Sequence, residues 1–243
     1  MTLDSWLPTV YHILVDNMKR GLKTILFMQA AQETRLLAFL LGASPELAPV
    51  FEIHSRLSQS QRIKQLNNFK SQKGGSILCS SDVGARGWDI EGVDMVVQLG
   101  IPSDNDTYVH RVGRTARAGT SGIAICLAFD WEMRHFLSRF PRAKTIQTDP
   151  IRVTNEDVQA VDRMLRTARS RGDAFLQVSK QGYSAFLGYQ NSMRSKHKMS
   201  PADCVQLINQ WIHKITGNPE PPALEAKTIG KMGLKGVPGL RRL

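Results

Sequence analysis

Short apolar runs alternate with longer mixed segments between about residues 24 and 140, and this alternation restricts the possible folds more than any other feature. Short runs rich in β-branched residues are typical of buried strands, and the segments between them are long enough for crossover helices. The predicted strands are Thr24–Met28, Val50–Ile53, Ser76–Ser80, Met95–Leu99 and Gly122–Leu127. The predicted helices are Ala31–Leu41, Gln59–Phe69, Thr107–Val112 and Trp131–Phe140. We therefore predict an α/β fold with a doubly wound parallel sheet.

The alternation stops after about residue 145, where helical patterns replace it. Three helices are predicted there: one that begins after Thr154, one over about Gln181–Met193, and one between Ser200 and Gly217. Thr154 and Ser200 are suitable N-caps, Pro201 suits a first helical position, and Gly217 suits a helix end. We expect an all-helical C-terminal extension.

These patterns divide the chain into an α/β domain over residues 1–144, a helical extension over 145–217 and a tail over 218–243. The tail is basic and contains prolines and glycines. We expect it to be irregular and to pack on or follow the extension through Ile229, Met232, Leu234 and Leu240.

The net charge of +11 favours a polyanionic partner, because lysine and arginine bind phosphates and release counterions. Residues 1–144 carry 17 basic and 13 acidic residues, net +4, whereas residues 145–243 carry 15 and 8, net +7. The positive charge is therefore concentrated in the extension and tail. There, Arg163 and Arg166 lie mostly off the apolar face of the first predicted helix and are candidates for contact with such a polyanion.

The sequence also argues against a membrane span, a targeting peptide and a disulfide or zinc site. No apolar run approaches the roughly 18 residues of a membrane span, so no membrane partner is expected. The first thirty residues have the features of neither a secretory nor a transit peptide. Cys79, Cys126 and Cys204 match neither disulfide nor zinc-ligand spacing, so we expect buried thiols and no metal site.

The most informative segment is His110–Gly119, with the sequence HRVGRTARAG. His110, Arg114 and Arg117 have the spacing that places residues on one side of a helical turn, and Gly113 and Gly119 allow the backbone to leave the helix. Guanidinium groups stay charged and offer forked donors to phosphate oxygens. The segment alone indicates either an RNA-phosphate patch or an arginine finger for a nucleotide.

Two further segments follow predicted strands, where α/β sheets place ligands. In Ser81–Asp89, Gly84 and Gly87 allow close backbone approach, and the Asp89 carboxylate is suited to ribose hydroxyls. In His54–Arg62, Ser58 is a suitable N-cap, and the helix start after it offers N–H groups to a phosphate.

In this order, the three segments resemble the second-domain motifs of the DEAD-box RNA helicases. The pattern H-R-x-G-R-x-x-R-x-G is matched at every fixed position from His110 to Gly119, and (S/T)-D-x-x-A-R-G-x-D is matched from Ser81 to Asp89. The pattern H-G-x-x-x-Q-x-x-R is matched at His54, Gln59 and Arg62, but Ser55 replaces the usual glycine. The resemblance implies a RecA-like helicase C-terminal domain over residues 1–144.

It also implies roles for individual residues. Arg114 and Arg117 would contact the γ-phosphate of ATP as arginine fingers, with His110 beside them, while Gly87 and Asp89 would hold the ribose. Asp82, Arg86 and His110 would couple the two RecA-like domains. Ser55, Gln59, Arg62 and Ser81 would hold RNA directly or shape its site. For Arg62 and Asp82, an internal ion pair remains an alternative.

These 243 residues contain no Gly-x-x-x-x-Gly-Lys-Ser/Thr segment and no Asp-Glu-Ala-Asp. The resemblance implies that an N-terminal RecA-like domain holds ATP and Mg²⁺, so we expect this chain alone to be inactive as an ATPase and to bind no cofactor tightly. Its partners would be that domain and RNA, both duplex and single-stranded, with little sequence specificity. The alternatives are a stand-alone RNA-binding module and a DNA helicase.

The extension narrows the resemblance to one group within the DEAD-box RNA helicases. Its place after the α/β domain and its closing segment Lys227–Leu234 are similar to those of fungal mitochondrial DEAD-box RNA chaperones, which assist group I and group II intron splicing. The resemblance implies an extension that adds RNA-binding surface, in agreement with its net charge. It also implies a location in the mitochondrial matrix.

Overall fold

The computed structural model describes residues 1–82, 90, 92–116, 121–139 and 151–243. Within these residues lie one parallel sheet, helices on both of its faces, and a helical extension that packs against one face.

The sheet has five parallel strands in the order β2-β3-β1-β4-β5. They are β1 (Lys23–Met28), β2 (Val50–Ile53), β3 (Ser76–Ser81), β4 (Met95–Leu99) and β5 (Ile123–Leu127). All five predicted strands and the parallel α/β fold are confirmed, with ends that differ by at most one residue. The residues that follow β1 to β4 meet at one edge of the sheet, which we call the carboxyl edge: Gln29, His54–Leu57, Asp82 and Gly100.

Among the described residues, these helices accompany the sheet: α1 (Trp6–Lys19), α2 (Ala31–Leu41), α3 (Gln59–Lys70), α4 (Asn105–Val112) and α5 (Met133–Arg139). Leu26 and Met28 of β1 face the cluster that contains α1 and α2, whereas Ile25 and Phe27 face α3. This alternation follows the two-residue period of a strand. The predictions did not include α1, although Trp6, Val10 and Leu14 recur on its buried face.

The extension contains α6 (Asn155–Arg169), α7 (Asp173–Met193), α8 (Pro201–Thr216) and α9 (Ala226–Lys231). Thr154 and Ser200 cap their helices as predicted, and Gly217 ends α8 with a φ of 71°. The second helix begins at Asp173, well before the predicted Gln181, because Gly182 does not interrupt it. The tail, predicted to be irregular, includes the short helix α9.

Core and extension share one hydrophobic cluster. The rings of Trp6 and Trp211 stack with centroids 6.1 Å apart, and Phe186 of α7 lies 4.6 Å from Trp211. Arg171, just before α7, donates to the carbonyls of Phe39 and Gly42 at the C-terminal end of α2. Helix α7 therefore starts beside the end of α2 and runs back toward the carboxyl edge.

None of the helices described above is long and apolar enough to cross a membrane. In the described ranges, no three His, Cys, Asp or Glu side chains form a group that could hold a metal ion. The three cysteines are free: Cys79 and Cys204 are buried and Cys126 is half-buried.

Candidate functional site

A buried ion pair between Arg111 and Asp82 is the best-defined feature of the carboxyl edge. The Arg111 side chain is 2% exposed, and its Nε and Nη2 donate to the two Asp82 carboxylate oxygens over 2.5 and 2.8 Å. Its guanidinium lies 5.3 Å from the centroid of the Phe27 ring. Because the pair is largely removed from water, loss of one partner would cost about 3–5 kcal/mol. The pair therefore anchors α4 to the end of β3.

Gln29 extends this contact to the residues after β4. Its side-chain carbonyl accepts from Arg111 Nη2 at 3.2 Å, and its amide donates to the Leu99 carbonyl at 3.2 Å. Gly100 has a φ of 81°, and a Cβ added there would lie 2.9 Å from the Gln29 amide nitrogen. Only glycine meets both conditions without strain.

Two buried carboxyl groups lie beside this network. Glu33 accepts from the N–H groups of Gln29 and Ala30 at 3.2 Å, and burial raises its pKa to about 8. Glu132 accepts from the Phe129 N–H at 3.0 Å, and burial raises its pKa to about 7. Both groups therefore titrate near neutral pH, where an exposed glutamate is fully ionised.

His54 organises the connection after β2. It is buried, its Nδ1 accepts from the Arg56 N–H at 3.2 Å, and its Nε2 lies 3.5 Å from a Glu52 carboxylate oxygen. The ring proton must then be on Nε2, facing Glu52. His54 thus has a local structural role and leaves Arg56 exposed at the carboxyl edge.

Arg62 supports the same connection. Its Nε donates to the Leu57 carbonyl at 3.0 Å and its Nη2 to the Ser55 carbonyl at 3.4 Å. Both acceptors are backbone carbonyls, so Arg62 braces the chain here, and no ion pair of Arg62 lies within the described part of the chain. Ser58 caps α3 by accepting from the Gln61 N–H at 3.2 Å, as predicted. Ser55 and Gln59 are exposed beside this helix start.

The arginine-rich segment leaves its helix where the sequence predicts. Helix α4 ends at Val112, as does the predicted helix, so His110 lies in the helix while Arg114 lies in the turn that follows. Arg114 Nε donates back to the His110 carbonyl at 3.2 Å. Thr115 holds the turn through a 2.6 Å hydrogen bond from its hydroxyl to the carbonyl of Val93, just before β4. The turn therefore keeps Arg114 next to His110.

The segment after β3 is described only at its start. Ser81 is buried, and its hydroxyl has no hydrogen-bond partner among the described residues. Of the two roles suggested for Ser81, burial favours shaping the site over direct contact. Asp82 forms an ion pair with Arg111, which agrees with the alternative of an internal pair. The predicted site residues Arg86, Gly87, Asp89 and Arg117 lie outside the described residues.

A groove of about 680 Å³ joins the carboxyl edge to the extension. Gln32 and Arg56 line it from the core, Lys180 and Ser184 from α7, and Glu225 and Thr228 from the C-terminal segment. Lys180 is exposed, as is Arg56, so two cations face this groove. We call it the edge groove.

Arg163 and Arg166 lie elsewhere. Both are exposed on the second half of α6. The second half of α6 is followed by Arg171, which contacts the C-terminal end of α2. This end of α2 lies away from the carboxyl edge. The structure therefore does not bring these two arginines together with Ser55 and Gln59.

The predictions missed Arg111 and Arg56, although both lie within the helicase motifs. Thr107 and Arg111 are one helical turn apart on the buried face of α4. A buried arginine requires a carboxylate, and Asp82 at the end of a central strand was a visible candidate. No sequence signal indicated the groove beside Arg56, because it depends on how α7 packs.

Comparisons with known proteins agree with this geometry. Residues 7–119 match the family described as helicase conserved C-terminal domain. The chain is 39% identical over 218 residues to the mitochondrial ATP-dependent RNA helicase MSS116 of Phaeosphaeria nodorum, an alignment that covers 90% of this chain and 38% of that protein. It is 38% identical over 237 residues to mss116 of Aspergillus oryzae, covering 95% and 36%. The solved structure of Mss116p DEAD-box helicase domain 2 bound to an RNA duplex superposes with a TM-score of 0.76 at 22% identity, covering 100% of this chain and 95% of that one.

The sheet order, the anchored α4 and the exposed residues at its end define a RecA-like helicase C-terminal domain with a helical extension. The chain spans well under half the length of the curated relatives that it matches. Over nearly its whole length, the chain is similar to part of the DEAD-box RNA helicases.

Proposed function

We propose that this chain is the second RecA-like domain and C-terminal extension of an ATP-dependent RNA helicase or RNA chaperone. One observation carries the proposal: the buried Arg111–Asp82 pair fixes α4 against the end of β3, and the last turn of α4 contains His110 and leads directly into Arg114. The anchored helix holds a cation where a second RecA-like domain and its nucleotide can approach. The names of the relatives support ATP as the nucleotide and RNA as the substrate.

In this proposal, ATP lies between the two domains. Arg114 and Arg117 stabilise the charge of the transferred phosphoryl group, an effect worth about 10³–10⁵ in rate in related chemistry. Gly87 and Asp89 hold the ribose, and Asp82, Arg86 and His110 couple the domains, Asp82 acting through Arg111. The first domain would provide the phosphate-binding loop and the Mg²⁺ ligands, so this chain alone would not turn over ATP.

RNA would cross the carboxyl edge. Ser55 and Gln59 are exposed there, while Arg62 and Ser81 shape the backbone beneath them. The edge groove adds the cations Arg56 and Lys180, which suit phosphates of duplex or single-stranded RNA without reading its sequence. Arg163 and Arg166 would form a separate RNA surface on α6.

The relatives named as mitochondrial also support a mitochondrial location. A role in assisting intron splicing is part of the proposal and rests on the resemblance of the extension and its closing segment. Import of the gene product into isolated mitochondria tests this location.

The nucleotide role is tested by Arg117→Ala and Arg114→Ala in the gene product that carries both RecA-like domains. We expect RNA-stimulated ATP turnover to fall by about 10³-fold or more, because each guanidinium acts on the transition state. RNA affinity of the 243-residue chain should stay nearly unchanged. Arg20→Ala, an exposed arginine at the end of α1, is the matched control. If Arg117→Ala turns over ATP as fast as the wild type, the assignment of Arg117 as an arginine finger is wrong.

The RNA surfaces are tested by two double variants of the 243-residue chain, Arg56→Ala with Lys180→Ala and Arg163→Ala with Arg166→Ala. If the edge groove holds RNA phosphates, the first variant weakens duplex binding and lowers the slope of log K against log salt by about one for each phosphate that is no longer bound. If only the second variant weakens duplex binding, the RNA-binding surface lies on α6 and not in the edge groove. Equal binding of RNA and DNA duplexes would favour the DNA helicase alternative.

A further inference from the structure

Near the end of α7, a tyrosine hydroxyl of the extension contacts the connection after β4. Tyr189 donates its O–H to the backbone carbonyl of Ile101 over 3.0 Å. Ile101 is 1% exposed, so water would not readily replace this donor. A buried carbonyl without a partner is costly, and the local backbone would move to satisfy it.

Ile101 supports the helix that carries the arginine-rich segment. It lies in the short connection between β4 and α4. Its side chain clusters with Ala128 and Phe136, and Tyr108 of α4 packs on that cluster. Tyr108 is about one helical turn before Arg111. Ile101 is therefore in apolar contact with α4 through Tyr108, the residue next to the buried Thr107.

A second connection runs through the neighbouring residue. Gly100 packs directly against the Gln29 amide, and the Gln29 carbonyl holds Arg111 Nη2 at 3.2 Å. Ile101 therefore influences Arg111 through the apolar contact with Tyr108 and through the polar contact at Gln29.

We propose that Tyr189 is a positioning residue for ATP turnover: by holding the Ile101 carbonyl, it fixes α4 and the orientation of His110 and Arg114 at its end. This inference rests on the proposed function, because only a nucleotide at the carboxyl edge gives that orientation a catalytic consequence. The extension then serves ATP chemistry in addition to RNA binding, and its contribution is geometric.

The chain offers a matched control. Tyr183, also on α7, donates its hydroxyl to Asn209 Oδ1 over 2.7 Å and is buried within the extension, away from α4. Tyr189→Phe and Tyr183→Phe therefore each remove one tyrosine hydrogen bond from the same helix. Only the first affects the connection to α4.

The first measurement is steady-state ATP turnover of the gene product with both RecA-like domains. Tyr189→Phe should lower kcat between about two- and tenfold, the factor that corresponds to one net hydrogen bond, with KM for ATP and RNA affinity unchanged. Tyr183→Phe should keep the wild-type kcat. An equal fall in both variants, or a change in KM alone, overturns the inference.

The second measurement uses the 243-residue chain and does not depend on turnover. Hydrogen exchange of the Arg111 Nε–H, followed by NMR, should be several-fold faster in Tyr189→Phe and unchanged in Tyr183→Phe. Identical exchange in wild type and Tyr189→Phe overturns the inference even if the wild-type enzyme is active. An inactive wild-type enzyme instead contradicts the proposed function, and the exchange rates still show whether Tyr189 positions Arg111.

Discussion

His110 and Arg111 are neighbours in the sequence, yet α4 turns one toward solvent and buries the other against the sheet. Successive helical residues point about 100° apart, so adjacent charged residues readily have different roles. Arg111 becomes an anchor because Asp82 meets it at the end of β3. In this motif, burial and the presence of a charged partner decide whether a residue anchors the helix, as Arg111 does, or is free to contact a ligand, as His110 is proposed to do.

The buried carboxyl groups make stability depend on pH. The raised pKa values of Glu33 and Glu132, about 8 and about 7, mean that the folded chain holds protons that the unfolded chain has released. The free energy of unfolding should therefore fall as pH rises from about 4.5, the ordinary pKa of these groups, toward their folded values of about 7 and about 8, by up to about 1.4 kcal/mol per pH unit for each proton, and it should level off above pH 8. Urea denaturation at several pH values measures this slope, and Glu132→Gln should flatten it.

Two groups that titrate at lower pH serve to check the assignment. Burial lowers the pKa of His197 to about 4, so its effect on stability lies below pH 6.5 and has the opposite sign. The Ser200 hydrogen bonds lower the pKa of Asp203, so Asp203→Asn should leave the slope above pH 6.5 unchanged. A slope that persists in the double variant Glu33→Gln, Glu132→Gln would contradict the assignment.

At the scale of elements, the contact between α7 and α2 places the extension. Gly182 lies where the two helices are closest: a Cβ added there would be 2.5 Å from Leu36 Cδ2 and 2.9 Å from Leu36 Cβ. The same helix contains Gly188, where an added Cβ would meet only the terminal methyl of Met232 at 3.3 Å. One glycine therefore permits the helix packing, while the other has room for a methyl group.

We expect Gly182→Ala to destabilise the chain by about 1–3 kcal/mol through overpacking, despite the better helix propensity of alanine. Gly188→Ala should be neutral or stabilising by up to about 1 kcal/mol. Chemical denaturation of both variants tests the contrast. Equal stability of the two would show that α7 and α2 can separate at no cost.

At the scale of the whole molecule, core and extension are joined by apolar contacts rather than by a linker alone. One cluster contains Leu26 of the sheet, Phe186 of α7 and Ile212 of α8. Exposing such a surface to water would cost roughly 25 cal/mol per Å². The domain boundaries at residues 144 and 217 remain a prediction. Because the cluster contains residues from both sides of residue 144, we expect the α/β domain and the extension to unfold together.

We therefore expect one cooperative unfolding transition, with tryptophan fluorescence and far-UV circular dichroism changing at the same denaturant concentration. Trp6 and Trp211 report on the boundary itself, because their rings stack across it. Two separate midpoints would mean that the extension unfolds independently of the sheet.

Much of the fold was predictable because its signals are local. The apolar runs predicted all five strands, and the caps Thr154 and Ser200 predicted two helix starts, since a cap acts within one turn. Helix α1 and the first part of α7 were missed. Helix α1 has a local signal, the helical spacing of Trp6, Val10 and Leu14, whereas the start of α7 depends on packing against α2, which a local pattern does not reveal.

The sequence by itself indicated the class of the protein, because three segments in order, His54–Arg62, Ser81–Asp89 and His110–Gly119, resemble the second-domain motifs of the DEAD-box RNA helicases. Only the tertiary structure decided which of these residues are buried in the protein and which are exposed to a ligand. It buried Arg111 against Asp82, left Arg56 exposed at the edge groove, and separated Arg163 and Arg166 from that edge. It also joined Tyr189 to Ile101, residues 88 positions apart. Burial and such distant contacts arise from the packing of whole elements, which no single segment encodes.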